Sequence, residues 1–132
     1  MPGCAQESGP PISIVEVKIL APLPGSSAAV AYFRIENRSD TTITVNQIDS
    51  PQYDDVQMHE TALEDGVSRM RPVGSIEIDP ASSVDFTPGG LHVMLMKPST
   101  NTLPGSPVTL EIRHDNGLLI VNATMQNRMP VE

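Results

Sequence analysis

Ala28-Ala29-Val30-Ala31-Tyr32-Phe33-Arg34-Ile35-Glu36 is the stretch on which the fold turns. Val30, Tyr32, Arg34 and Glu36 fall on one side of an extended chain, and Ala31, Phe33 and Ile35 on the other. A period of two residues belongs to a strand with one face in a core, because successive side chains of a pleated backbone point in opposite directions.

Outward from that strand the pattern repeats in short pieces. Upstream, Ile12 to Leu20 alternates in part and is rich in β-branched residues, and Pro22 to Ser27 makes a turn before Ala28. Downstream, Thr41 to Ile48 has the Thr, Ile and Val content of half-buried pleated positions. Further extended runs are expected at Asp55 to Thr61, Ser68 to Val73, Ser75 to Ile78, Val84 to Phe86 and Leu91 to Lys97. A last pair, Pro107 to Arg113 and Leu118 to Thr124, flanks Asn116-Gly117, a step suited to the positive φ angles of a tight hairpin. Glu64-Asp65-Gly66 and Thr87-Pro88-Gly89-Gly90 are further turns, and the 13 prolines and nine glycines gather at such breaks. No sustained 3.6-residue apolar period appears, so helix is expected as a single turn at most. The reading is all-β: an antiparallel Greek-key β-sandwich or small barrel with its edges guarded by prolines and charges.

The chain has 132 residues, enough for one domain with its own core. Residues 1–11 read as a flexible lead-in, 12–124 as the sandwich and 125–132 as a flexible tail. With two Phe, two Tyr and no Trp, the core must be built from Val, Ile, Leu and Met. Sixteen acidic against eight basic side chains give a net charge of −8, which repels phosphate backbones and anionic lipid; the acids are spread out, as on a solvated surface. Nucleic acid is therefore a poor partner. No apolar run is long enough to span a bilayer.

Cys4 stands alone, which rules out an intrachain disulfide and a cysteine-based zinc or iron–sulfur site. Met1-Pro2-Gly3-Cys4-Ala5 resembles the end of a bacterial lipoprotein signal, with a small residue before the lipidated cysteine, although Pro2 departs from that pattern. The alternative is a stray thiol in a mobile tail.

The chemistry lies in Met58-His59-Glu60, Met70 and His92-Val93-Met94-Leu95-Met96, which hold two of the three histidines. Two residues apart on a strand, His92 and Met94 offer a nitrogen and a sulfur to one face while Val93 and Leu95 face the core. A hairpin carrying His59 and Met70 can lie alongside, completing a set of two nitrogens and two sulfurs. Imidazole mixed with soft thioether selects copper(I) over zinc, magnesium or calcium. Met96 continues the same face as a spare ligand or as cover for the rim. Taken singly, a methionine in a domain short of aromatics is a core filler, the reading for Met125 and Met129. A lone histidine is a surface or hydrogen-bonded residue, the reading for His114 beside its turn.

The spacing His59, ten residues, Met70, twenty-one residues, His92, one residue, Met94 resembles that of the periplasmic copper chaperones called PCuAC. Ala31-Tyr32 with Asn37, Met58-His59-Glu60, Asp65-Gly66 before Met70-Arg71-Pro72-Val73, and Pro88 through Met96 agree with it, over about residues 12 to 124. The resemblance implies a cupredoxin-like β-sandwich that carries copper(I) in the periplasm or outside the cytoplasm, and is not an enzyme. It implies delivery to the CuA centre of cytochrome c oxidase, on subunit II, directly or through a thiol-bearing copper-transfer protein. Some relatives add a Met- and His-rich tail; Met125 to Glu132 has two methionines and no histidine, which argues against a second copper site there.

The chain is expected to act as a monomer, tethered through Cys4 if that residue is lipidated. Two rivals stand beside this reading. A blue-copper electron carrier needs a cysteine thiolate beside two histidines, and Cys4 lies outside the sandwich. A metal-free immunoglobulin-like binding module would make the His and Met positions accidental. An enzyme is disfavoured because no nucleophile–base pairing, phosphate loop or close carboxylate pair forms a recognisable motif.

Overall fold

The computed structural model describes residues 11–22, 25–99, 103–115 and 117–127. Ten strands follow one another: β1 Ile12–Leu20, β2 Ala29–Asn37, β3 Ile43–Asp49, β4 Tyr53–Glu64, β5 Val67–Pro72, β6 Ile76–Ile78, β7 Ser82–Phe86, β8 Leu91–Pro98, β9 Pro107–His114 and β10 Gly117–Gln126. There is no helix among the described residues. The expected runs are all present, most with their ends shifted by one to three residues, as the frayed ends of strands allow.

The ladder runs β5-β4-β8-β7-β2-β1-β10-β9-β3-β6, with β8 also paired to β2. It folds on itself as a two-layer, cupredoxin-like sandwich, with β1, β2, β4, β5, β7 and β8 in one layer and β3, β6, β9 and β10 in the other. Pairing is antiparallel except at two joins. The end of β10 runs parallel to the end of β1, with Ile19 opposite Met125 and Leu20 opposite Gln126, and β7 meets β8 at Phe86 and Leu91. The first join links the layers, and Ala21 N–H donating to Gln126 O at 2.8 Å extends it.

Between the layers, Ile19, Ala31, Phe33, Ile35, Val93 and Leu95 meet Ile43, Val45, Ile48, Val108, Leu110 and Ile112. Each such Val, Leu or Ile side chain contributes about 1.5–3 kcal/mol when fully buried, so this aliphatic interior carries the fold with little aromatic help. Its aromatic members are Tyr53 and the pair Phe33 and Phe86, whose ring centroids lie 4.5 Å apart.

The C-terminal boundary needs correction. Met125 and Gln126 belong to β10, and Met125 is buried in the core, so the sandwich runs past residue 124 and the tail cannot begin at 125. The core-filler reading of Met125 is thereby met. Cys4 and Met129 lie outside the described residues. So does Asn116, although Gly117, at φ +149°, pairs with His114 across the expected hairpin.

The partial alternation of β1 has a physical cause. Its register against β2 shifts between Val15 and Lys18, where Glu16 takes the left-handed φ of +56°, so a bulge moves the remaining side chains to the other face. Asn37 closes β2 as a buried clamp. Its amide nitrogen donates to the carbonyls of Thr41 and Ile78 at 2.9 Å, and its oxygen accepts from the Ser39 N–H and hydroxyl.

Candidate metal centre

β8 alternates as its sequence requires. Val93 and Leu95 are fully buried in the core, so His92 and Met94 project from the opposite, outer face of the first layer. On one flank β2 sets Val30 across from Met94, and on the other β4 sets His59 across from His92 and Gln57 across from Met94. β4 turns back into β5 through Asp65 and Gly66, at φ +53° and +79°, the paired left-handed angles of a tight two-residue hairpin. That turn fixes the register placing Met70 opposite Thr61.

A cavity of about 280 Å³ opens on this face, lined by Met70, His92 and Met94 together with Val30, Tyr32 and Thr61. Val30, which shares the outward side of β2 with Tyr32, is buried as its floor. Met70 stands at the mouth and is 59% exposed, whereas His92 is buried.

The His92 ring is held in one tautomer. Nδ1 lies 3.0 Å from the Gly90 carbonyl oxygen, which can only accept, so Nδ1 carries the proton and the neutral ring keeps its lone pair on Nε2. Nε2 in turn faces the Met70 sulfur at 3.2 Å. Two electron-pair donors pointed at each other have no proton to share, which is the geometry of ligands prepared for a cation. Metal–nitrogen and metal–sulfur bonds of about 2.0 and 2.3 Å, the lengths known for zinc, bridge a gap of this size with the ion at the apex of a triangle. The hydrogen bond from the far ring nitrogen to a backbone carbonyl is the usual support of a metal-binding imidazole.

His59 is placed differently. Its ring stands edge-on to that of His92 with centroids 5.9 Å apart, but it does not line the cavity. Its Nε2 lies 2.8 Å from Gln57 Oε1, and its Nδ1 is buried with no hydrogen-bond partner. Burial, and then the neighbouring His92, lower its proton affinity below the ordinary histidine value, with Asp55 opposing them. Three of the four expected residues thus share one cavity, and the fourth packs behind His92. Met58 points into the core, and half-buried Met96 is not part of the cavity wall.

Among the described residues no three His, Cys, Asp or Glu side chains gather as a metal site, and the donor that faces His92 Nε2 is the Met70 sulfur. Sequence reasoning passed over Gln57, two residues before His59 and therefore on the same face; period two alone would have pointed to it.

The family described as "Putative lipoprotein LpqE-like" matches residues 12–124. "Putative lipoprotein Lxx21020" of Leifsonia xyli subsp. xyli is 28% identical over 119 residues, covering 89% of this chain and 72% of that protein. The copper-bound PCuAC domain from PmoF2 superimposes with a TM-score of 0.73 at 23% identity, covering 92% of this chain and 97% of that one. CuI-DR1885 from Deinococcus radiodurans gives 0.69 at 24% identity, covering 86% and 76%. These two structures establish that the fold is the PCuAC one, as the sequence resemblance implied. The family match takes in both layers of the sandwich, from the first residue of β1 into β10, and the chain belongs to the LpqE-like family.

Proposed function

We propose that this protein is an extracytoplasmic copper(I) carrier whose ligands are His59, Met70, His92 and Met94. The observation that carries the reading is the bare Nε2 of His92 facing the Met70 sulfur at 3.2 Å, in a cavity that Met94 also lines. The copper-bound PCuAC domain from PmoF2 and CuI-DR1885 lend support, since both share this fold. His59 joins by presenting its orphaned Nδ1, an atom whose burial is costly until something pairs with it.

Such a site suits a carrier. Thioethers hold copper(I) without losing a proton and do not form disulfides, so the ion stays bound in an oxidising compartment and passes downhill to thiolates. The acceptor in this reading is the CuA centre of cytochrome c oxidase, reached directly or through a thiol-bearing protein. The lipoprotein description of the family supports tethering through Cys4.

Titration with copper(I) against a coloured chelating competitor tests the reading. One equivalent should bind and give a colourless complex. Met70→Leu and Met94→Leu should each weaken binding by at least about tenfold, the low end for losing even an outer-sphere partner. Their unfolding midpoints should stay close to wild type, because leucine matches methionine in volume. Failure to compete for copper(I) would leave a metal-free immunoglobulin-like module as the reading, and wild-type affinity in both variants would remove Met70 and Met94 from the site.

A further inference from the structure

Asp55, Gln57 and His59 occupy alternate positions on the same side of β4 and form a hydrogen-bonded row. Gln57 Nε2 donates to Asp55 Oδ1 at 3.1 Å, and Gln57 Oε1 lies 2.8 Å from His59 Nε2. The direction of the row follows from chemistry. A carboxylate only accepts, so the end of the Gln57 amide facing Asp55 must be its NH2 group and the end facing His59 its carbonyl oxygen. That oxygen also only accepts, so His59 Nε2 must carry the proton. The lone pair of the neutral ring is then on Nδ1, the buried atom without a partner. At His92 the arrangement is reversed, with Nδ1–H committed to Gly90 O and Nε2 bare.

Resting on the copper(I) reading above, we infer that Gln57 is a positioning residue: backed by Asp55, it commits Nε2 of His59 to a hydrogen bond and reserves Nδ1 for the ion. The two imidazoles of the centre therefore ligate through different nitrogens. Gln57 touches no ion itself. It acts as the outer-sphere acceptor that metal-binding histidines require, a role usually filled by a carboxylate or a backbone carbonyl. A side-chain amide keeps the partner neutral while Asp55, one position further out, supplies the orientation.

The test is a ¹⁵N NMR titration of the ring nitrogens of the full chain with copper(I), read alongside competitor affinities. In wild type, His59 Nδ1 and His92 Nε2 should shift on binding while His59 Nε2 keeps its proton. Gln57→Leu, at an exposed position, should lose the protected Nε2–H signal and bind copper(I) about 10- to 100-fold more weakly, with the unfolding midpoint unchanged. Gln57→Glu, which restores an acceptor, should recover the Nε2–H signal and most of the affinity. A shift at His59 Nε2 in place of Nδ1 overturns the inference and leaves the copper site standing. So does a response of His92 alone, an unchanged affinity in Gln57→Leu, or equal weakening in both variants. Silence of both imidazoles in wild type overturns the copper reading itself, and the inference with it.

Discussion

A methionine on an edge strand, 59% exposed, gives up most of the roughly 1.5–3 kcal/mol that burial of such a side chain contributes. Met70 keeps its sulfur at the mouth of the cavity instead, and that exposure governs its chemistry. Dilute hydrogen peroxide should oxidise Met70 well before Met58 or Met125, which are 5% and 1% exposed, and the sulfoxide, a hard oxygen donor, should lose affinity for copper(I). Peptide mass spectrometry at increasing peroxide doses checks the order, and preloading with copper(I) should protect Met70. Equal rates at all three would mean that the sandwich opens faster than it is oxidised. His59 yields a pH prediction. Its proton affinity in the fold is lowered by burial and by His92, so in the range between its folded pKa and about 6.5 the unfolded chain binds more protons than the native one. Its effect on stability is therefore favourable above about pH 6.5 and is lost as pH falls through that value toward the lowered folded pKa. Denaturant midpoints of the metal-free protein should drop between pH 7.5 and 5.5, and His59→Gln should flatten that dependence. A steeper fall in the variant would reverse the sign and exclude His59 as its source.

Single elements show where the sequence speaks and where it is silent. β2 was legible because every second residue from Ala31 to Ile35 is apolar, and the β4–β5 hairpin because Asp65-Gly66 suits left-handed backbone. The bulge in β1 left no such mark, since Glu16 takes the left-handed angle without being glycine. The end of β10 was hidden because Met125-Gln126-Asn127 resembles a tail until β1 is there to pair with it. At the centre, spacing sufficed to bring Met70, His92 and Met94 to one cavity, but not to orient the His59 ring. That orientation depends on a hydrogen-bonded row along β4, and strand periodicity gives the side of a sheet without the rotamer. Asn37 shows the same division: its place after Ala31-Tyr32 in the sequence gives no sign of its partners, and only the fold reveals three carbonyl acceptors around it, from Thr41, Ile78 and Asp79. Asn37→Ala strips the buried Ile78 carbonyl of its donor, and should cost about 1–3 kcal/mol in chemical denaturation. Its copper(I) affinity should be unaltered, because the clamp ties β2 to β6, away from the cavity. A variant as stable as wild type would mean that water replaces the amide at no cost.

Across the whole molecule, the two faces of the first layer divide the labour. β8 sends Val93 and Leu95 into the core and His92 and Met94 to the outer face, so the proposed ligands rest on a packed sheet without being part of its core. Stability and affinity should therefore separate by position. The sharpest case is Met125, which is fully buried where β10 joins β1 and the ladder passes from one layer to the other. Its backbone is held twice over, its N–H donating to Ser106 O at 2.9 Å and its carbonyl accepting from Gly105 N–H at 2.8 Å, so truncating the side chain leaves the strand in place and opens a void. Met125→Ala should cost about 2–5 kcal/mol, the range for losing a large core side chain, while copper(I) binds as in wild type. Met70→Leu should do the reverse. Measuring both variants by denaturant unfolding and by competitor titration gives four values, and the separation fails if Met125→Ala weakens copper(I) as much as Met70→Leu does at a temperature where both are folded. That outcome would mean that the join between the layers, and not the outer face alone, holds Met70 and His92 in register.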